Sequence, residues 1–354
     1  VQSLGLAWDS RAKEQGGQRW FHLYPIEKPE PGDPLHWTGR DQTWNYQCAE
    51  CHSTNLQKHY DVASDSYRTA FDEINVACEA CHSPGAKHLA WAEAAAQDPE
   101  RKKDTDKGLA VDLADRDGAG WAIDEETGQP RRSKPRSNHA QIEICARCHS
   151  RRGQIWEDYE YGKPLGNTHR LALLEEHLYF PDGQIKDEVY VYGSFIQSKM
   201  HRAGVTCSDC HEPHSLRLRS EGNAVCSGCH LPTRYDTPDH HHHETATEGA
   251  TCVACHMPQR VYMVNDWRAD HSMRVPRPDL SAKLGTPNAC NGCHTDKTME
   301  WAADAVAQWY PHSTHRGPHF GETLHAAAIN APDAGERLLA LAADRAQPGI
   351  ARAT

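Results

Sequence analysis

The sequence predicts a mainly α-helical fold with much irregular structure and a few short strands. Three observations support this fold class. Hydrophobic residues make up only 38% of the 354 positions, and Ala-rich or amphipathic stretches alternate with polar stretches and a few strand-like ones. All 14 cysteines fall into one repeated pattern, Cys-x-x-Cys-His. Apolar side chains are too few for a conventional core in a chain of this length, so we expect another apolar group to fill the interior.

Charge and hydropathy exclude two classes of protein. The chain has 38 Lys and Arg against 49 Asp and Glu, a net charge of −11, which argues against a nucleic-acid binder that needs a basic face. No apolar run approaches the roughly 18 residues of a membrane-spanning helix, so we predict no span. The chain begins at Val1 without Met, and we expect a processed product or a fragment.

The seven Cys-x-x-Cys-His motifs predict covalent haem. Their cysteines are Cys48 and Cys51, Cys78 and Cys81, Cys145 and Cys148, Cys207 and Cys210, Cys226 and Cys229, Cys252 and Cys255, and Cys290 and Cys293. The histidines that follow are His52, His82, His149, His211, His230, His256 and His294. Two thiols one helical turn apart reach both vinyl groups of a porphyrin, and the next residue then ligates the iron.

Two other interpretations of the cysteines are weaker. The spacing from Cys207 to Cys229 also suits a four-cysteine zinc site, and an even cysteine count suits disulfides. Neither explains why His follows every second cysteine, so the sequence predicts seven haems c. Thioether attachment takes place outside the cytoplasm, and we therefore predict a periplasmic or extracellular protein. The haems would supply the apolar core.

The second axial ligands are predicted to be histidines as well. Eighteen histidines lie outside the motifs and only five Met are present, so we expect mostly His/His iron with low-spin spectra and low potentials. The candidates chosen by sequence context are His22, His36, His88, His169, His214, His243 and His271. The run 240–243 supplies one or two ligands or forms an exposed metal-binding loop. The four histidines after residue 296 are expected to be ordinary surface residues.

The elements of the first half follow in chain order. Residues 1–47 hold two strand-like stretches, LGLAWD and RWFHLYP, between turns. Residues 89–103 are rich in Ala and predict a helix. Residues 104–138 are polar, and their basic run at 131–136 is a solvated loop or a docking site for an acidic partner. Within 150–206, the run EVYVYGSFIQSKM begins strand-like and turns helical.

The second half is denser in motifs and ends in helices. Motifs starting at 207 and 226 are the closest in sequence, so their haems should form the tightest sequential pair. After residue 296, three amphipathic helices are predicted, with Asp333 as N-cap of the third and Pro348 opening another. We predict a heptahaem domain over 1–295 and a helical segment over 296–354. That segment is the start of a truncated TPR- or HEAT-like solenoid, or a simple helical hairpin.

Several stretches carry a resemblance to a known family. They are WNYQCAECHSTN (44–55), INVACEACHSPGAKHLAWA (74–92), CARCHSRR (145–152), DGQIKDEVYVYGSFIQSKM (182–200), GVTCSDCHEPHSL (204–216) and LGTPNACNGCH (284–294). From about Trp20 to Arg316, the chain resembles multihaem cytochromes c that are often fused to TPR- or HEAT-like repeats, and 207–230 looks like their doubled CxxCH module. The resemblance implies a fold wrapped round a haem chain and respiratory electron transfer. It also implies an eighth haem upstream and further repeats downstream of this chain.

Three functions are compatible with the sequence. The first is an electron conduit with redox protein partners, with a variant in which the end haems join successive copies into a homo-polymer. The second is a reductase of small nitrogen or sulfur compounds with one open iron, near Tyr190, Tyr192, Lys199, His201 and Arg202. The third is a scaffold that binds partners through its helical repeats. We favour the conduit and assign no catalytic residue.

Overall fold

The computed structural model describes residues 1–354 and is built mainly of short helices joined by irregular segments. The α-helices are α1 (Trp44–Gln47), α2 (Cys78–His82), α3 (Ala86–Gln97), α4 (Ala140–His149), α5 (Tyr192–Phe195), α6 (Lys199–Ala203), α7 (Cys207–Cys210), α8 (Ala224–Ser227), α9 (Pro232–Tyr235), α10 (Pro238–His241), α11 (Cys252–His256), α12 (Pro278–Leu284), α13 (Ala289–Cys293), α14 (Met299–Trp309), α15 (Phe320–Ala328), α16 (Ala334–Ala343) and α17 (Gly349–Ala353). None of them is long and apolar enough to cross a membrane.

Twelve short strands pair into six separate two-stranded antiparallel sheets. The strands are β1 (Leu6–Asp9) with β2 (Arg19–His22), β3 (Tyr60–Asp61) with β4 (Ser66–Tyr67), β5 (Trp121–Ile123) with β6 (Pro130–Arg132), β7 (Arg152–Gln154) with β8 (His169–Leu171), β9 (His211–Glu212) with β10 (Arg217–Leu218), and β11 (Gln259–Tyr262) with β12 (Asp266–Ala269). This is the predicted fold class of helices, irregular structure and few strands.

The N-terminal hairpin confirms the two strand-like stretches of the first 47 residues. Trp8 of β1 lies opposite Trp20 of β2, and their rings meet edge to face with centroids 5.5 Å apart. Arg11 makes an ion pair with the buried carboxylate of Asp9 at 2.7 Å. The hairpin is joined to the β11–β12 hairpin, because Asn265 donates to Asp9 Oδ2 at 2.9 Å.

Two predicted elements differ from the structure at their ends. The Ala-rich helix spans Ala86–Gln97, and Pro99–Lys103 forms a separate 3₁₀ turn whose N-cap is Asp98. No strand forms at the start of EVYVYGSFIQSKM. Tyr190 has a φ of +59°, which breaks an extended strand and leaves only an isolated bridge to Ser150.

The C-terminal helices share the main apolar core with the middle of the chain. This central cluster consists of Leu174, Leu178, Tyr179, Ile185, Val189, Tyr262, Phe320, Leu341, Ile350 and Ala351. Asp333 stands at the N-cap of α16, but its carboxylate makes no capping bond and instead accepts from Arg337 at 2.7 Å. The predicted boundary at 295/296 therefore marks a change in sequence character more than a break in packing.

Candidate haem-ligand array

Short helices present the cysteines of the motifs. In α2, α4, α7, α11 and α13 both cysteines lie within the helix, and the other two motifs continue from α1 and α8. Polar residues cap the N-termini of several of these helices. Thr206 and Asp209 form a reciprocal capping box around Cys207, and Asn223 Oδ1 accepts from the backbone N–H of Cys252 at 2.9 Å. Residues three apart on a helix share a face, so both sulfurs of a motif point the same way.

Motifs that are distant in sequence meet at their cysteines. The sulfur of Cys51 lies against Cys148, whose backbone carbonyl is 4.0 Å away, and Cys145 neighbours Cys207. Motif 78–82 also contacts motif 145–149, since the guanidinium of Arg147 donates to the Ala80 carbonyl at 3.1 Å. Motif 145–149 therefore contacts three other motifs.

The later motifs continue the series. The side chains of Cys226 and Cys252 are neighbours. Burial, Asp209 and the neighbouring Cys229 raise the pKa of Cys210. Burial raises the pKa of Cys255 to about 11, and the thiols of Cys290 and Cys293 add to the rise. All seven motifs thus form one contiguous array, which we call the motif array.

Four motif histidines face a second histidine. The ring centroids are 6.1 Å apart for His82 and His214, 6.3 Å for His211 and His271, 6.1 Å for His256 and His240, and 6.2 Å for His294 and His243. An imidazole–metal bond of roughly 2 Å on each side, added to the radii of the two rings, gives a centroid spacing of roughly 6 Å. The residues therefore fit an iron between each pair.

Hydrogen bonds at the far nitrogen orient several of these rings. Nδ1 of His243, His256 and His271 lies 2.6, 2.7 and 2.9 Å from a backbone carbonyl, of His241, Arg274 and Ala269 respectively. Nδ1 of His214 lies 3.1 Å from Glu212 Oε1. Metal-ligating histidines usually donate their second N–H to such an acceptor, which leaves Nε2 free for the metal.

Comparison with known proteins gives a family match over part of the chain and a similar fold over nearly all of it. The family model described as cytochrome c554 and c-prime matches residues 23–83, which hold the first two motifs. The fold is similar to the crystal structure of the outer cell wall cytochrome OcwA, with a TM-score of 0.52 and 17% identity over 98% of this chain and 77% of that chain. Residues 23–83 thus carry the likeness to a cytochrome family, and the chain as a whole shares the fold of a cytochrome.

A second solved structure also matches this chain. It is an undecahaem cytochrome from the S-layer of Carboxydothermus ferrireducens, with a TM-score of 0.37 and 20% identity over 99% of this chain and 56% of that chain. No curated protein sequence matches the chain.

The structure gives His169 a different environment from the predicted one. Its side chain is fully buried, with Nε2 2.6 Å from Glu50 Oε1 and Nδ1 2.9 Å from the Thr168 hydroxyl. Because both ring nitrogens are engaged, His169 does not fit an axial ligand. Burial opposes ionisation of Glu50, but the bond from His169 and the charges of Arg152 and Lys58 outweigh it and lower the Glu50 pKa.

The other predicted distal candidates are placed as follows. Nδ1 of His22 accepts from the backbone N–H of Tyr24 at 3.0 Å, which puts the ring proton on Nε2, contrary to what ligation through Nε2 requires. His36 is half-buried, with Nδ1 2.8 Å from the Thr38 hydroxyl. His88 stacks on Trp91, and its Nδ1 lies 2.7 Å from the Lys107 carbonyl, the pattern of an oriented ligand.

The histidine run 240–243 lies inside the array rather than on an exposed loop. His240 and His243 face motif histidines, and burial lowers the pKa of His240 to about 4. Nε2 of His241 and of His242 is buried without a hydrogen-bond partner. Sequence context pointed to His243 within this run and did not single out His240.

The five residues predicted around an open iron do not converge on one pocket. Tyr190 lies under the guanidinium of Arg268, and Lys199 Nζ lies 3.3 Å from Nδ1 of His315. Arg202 donates to the Ala346 carbonyl, and His201 faces His139. Tyr192 alone of the five lines the apolar cavity of about 220 Å³ between α5 and α17, which no motif residue lines.

Proposed function

We propose that this protein transfers electrons outside the cytoplasmic membrane through seven covalently bound haems c. The observation that carries the proposal is the motif array, in which each Cys-x-x-Cys-His lies close to at least one other. When bound, the haems supply one-electron redox chemistry, and the chain holds them at short fixed separations. The likeness to an outer cell wall cytochrome supports a location beyond the membrane.

The facing histidines give the axial ligands we propose. Four irons are held by His82 and His214, His211 and His271, His256 and His240, and His294 and His243. Each pair joins a motif to a histidine from another segment, so ligation also ties the chain together. Low-spin iron with low potentials follows from His/His ligation without Met.

The ends of the motif array are the places where redox proteins would exchange electrons. Cys78, Cys81 and Cys293 are exposed, whereas the cysteines of the intervening motifs are partly buried. Motifs 78–82 and 290–294 therefore lie nearest to the surface. Redox partners would dock at these two motifs.

The same exposure supports association of successive copies into a polymer. Contact between motif 290–294 of one copy and motif 78–82 of the next is heterologous, and such contacts generate open filaments when they do not close. Filaments in cryo-electron micrographs are the expected result. Isolated particles at high concentration would contradict the polymer without affecting the conduit.

Removal of single haems tests the conduit. In Cys145→Ser/Cys148→Ser the central motif loses its thioethers, whereas Cys290→Ser/Cys293→Ser removes a terminal pair. Mass spectrometry should count seven haems in the parent and six in each variant. Current through a protein film between electrodes should fall far more in the central variant. Equal currents in all three proteins would contradict conduction along the motif array.

A reductase is the second candidate. His52, His149 and His230 do not face another histidine at the spacing of the four pairs, and His230 instead meets Tyr235 edge-on at 6.0 Å. An iron whose second axial position takes no protein ligand could bind a small substrate. A stoichiometric high-spin EPR signal that shifts with nitrite or hydroxylamine would favour this function, and seven low-spin irons would exclude it.

A further inference from the structure

A fifth pair of histidines has the same spacing but belongs to no motif. The rings of His139 and His201 have centroids 6.3 Å apart and are tilted by 46°. His139 precedes α4 and His201 lies in α6, so helices from distant parts of the chain bring them together. Two histidines on a tetrahedral ion would have centroids roughly 5 Å apart, whereas two on opposite sides of a metal give roughly 6 Å.

His201 is the inner member of the pair, and its surroundings hold the ring in position to act as a ligand. Its Nδ1 is buried without a hydrogen-bond partner, and Phe195 packs edge-on against the ring at 5.4 Å.

The charges around the pair distinguish a porphyrin from a bare cation. Arg136 donates to the carbonyls of Gly204 and Asn138, and Arg202 donates to the carbonyl of Ala346. The carboxylates that act on Arg136, Asp209 and Asp117, are themselves paired with Arg116 and Arg132. The guanidiniums of Arg136 and Arg202 disfavour a divalent ion beside the pair and favour the negatively charged propionates of a haem.

We propose that His139 and His201 form an eighth bis-histidine site, which takes an iron porphyrin that is not attached through any motif of this chain. Arg136 and Arg202 would pair with its propionates. The haem is either free in origin or carried by another polypeptide segment. The site does not depend on the seven motif haems conducting electrons, so it can fail while the conduit stands.

Haem binding to the matured heptahaem chain tests the site. Added haemin should bind with a stoichiometry of one and give a low-spin absorption change, and acidic organic solvent should extract that haem while leaving the covalent haems on the protein. His139→Ala and His201→Ala should each abolish this binding. His177→Ala serves as the matched control, because that side chain is 71% exposed and should leave binding unchanged.

The remaining outcomes identify the source or overturn the proposal. If no haem is extracted, mass spectrometry counts an eighth covalent haem and His201→Ala converts one iron from low to high spin, the haem comes from another segment and the site stands. The same conversion in a protein with seven haems would assign His201 to a motif haem and overturn the proposal. Absence of stoichiometric haemin binding together with an unchanged spin state would overturn it. The proposal of a porphyrin would also be overturned if the protein binds Zn²⁺ stoichiometrically but not haemin, and if both variants abolish the Zn²⁺ binding. His139 is exposed, so His139→Ala keeps the test valid if His201→Ala does not fold.

Discussion

His214 shows how one residue can join two parts of the motif array. It lies three positions after His211, too close to serve that iron, and its ring is parallel to that of His82 within 2°. The carboxylate of Glu212 orients the ring from the Nδ1 side. A residue next to one motif thus supplies the proposed ligand of another.

Replacement of His214 tests this assignment. His214→Ala should convert about one haem in seven from low to high spin, because the iron beside His82 loses its second imidazole. EPR of the oxidised protein measures the fraction, and His177→Ala provides the control with unchanged spectra. An entirely low-spin spectrum for His214→Ala would show that another group ligates this iron.

Replacement of His169 should affect stability and not spin state. His169→Ala removes the bonds to Glu50 and Thr168 and leaves buried polar groups less satisfied, which should cost about 1–3 kcal/mol in the free energy of unfolding. Chemical denaturation measures the loss, and EPR should still show the parent's low-spin signals. A new high-spin signal would restore His169 as a ligand.

Residues differ in how far the sequence reveals their roles. The proposed proximal histidines can be predicted from the spacing within each Cys-x-x-Cys-His motif, because covalent attachment of a haem requires that spacing. Distal roles depend on packing between distant segments, and the bond from His169 to Glu50 joins residues 119 positions apart. Context pointed to His214, His243 and His271, which do face motif histidines. Nothing local marks the pairing of His139 with His201.

Two glycines in turns allow the stability cost of backbone strain to be compared with the cost of steric crowding. Gly16 and Gly183 have φ of +80° and +83°, but only Gly183 is crowded, since an added Cβ would overlap the Gln197 side-chain oxygen. Gly16→Ala should cost about 1–2 kcal/mol from the left-handed backbone alone. Gly183→Ala should cost about 1–3 kcal/mol more from overpacking. Urea denaturation compares the two, and equal losses would contradict the crowding at Gly183.

The stability of the segment before α4 should depend on pH through the carboxyl group of Asp117. The bond from the Ser137 hydroxyl, with further bonds from backbone N–H groups and Arg132, lowers the Asp117 pKa from 3.8 to about 2. A carboxyl with a lowered folded pKa stabilises above its unfolded pKa, and this stabilisation is lost as the pH falls through the folded value. Between pH 4 and about pH 2, the stability of the parent should therefore fall more steeply than that of Asp117→Asn. Parallel slopes in urea titrations would contradict this.

Secondary structure was predictable where local pattern decides it. The N-terminal hairpin and the C-terminal helices follow from alternation and amphipathic periodicity. The strand expected before α5 does not form, because Tyr190 takes a left-handed φ at the bridge to Ser150. A two-residue tertiary bridge of this kind leaves no periodic signal in the sequence.

The whole molecule has a small polypeptide core for its size. Only 50 of the 354 residues are buried by the chain itself, and the central cluster contains ten of them. We expect the haems to supply much of the remaining apolar interior. Chain produced without haem attachment should therefore lose most amide-exchange protection around the motifs and keep more of it in the central cluster. Uniform protection equal to that of the holoprotein would contradict a haem-dependent core.

The three contacts of motif 145–149 place this motif at a fork of the motif array. Motifs 48–52 and 78–82 both meet at this motif, and a single line of motifs leads away from it through Cys207. If the haems follow their motifs, two inlets merge into one outlet. Such a junction could collect charge from two different donors without either donor competing for the same docking face. Loss of the haem at motif 48–52 or at motif 78–82 would leave the other motif connected to the array. Loss of the haem at motif 145–149 would disconnect both.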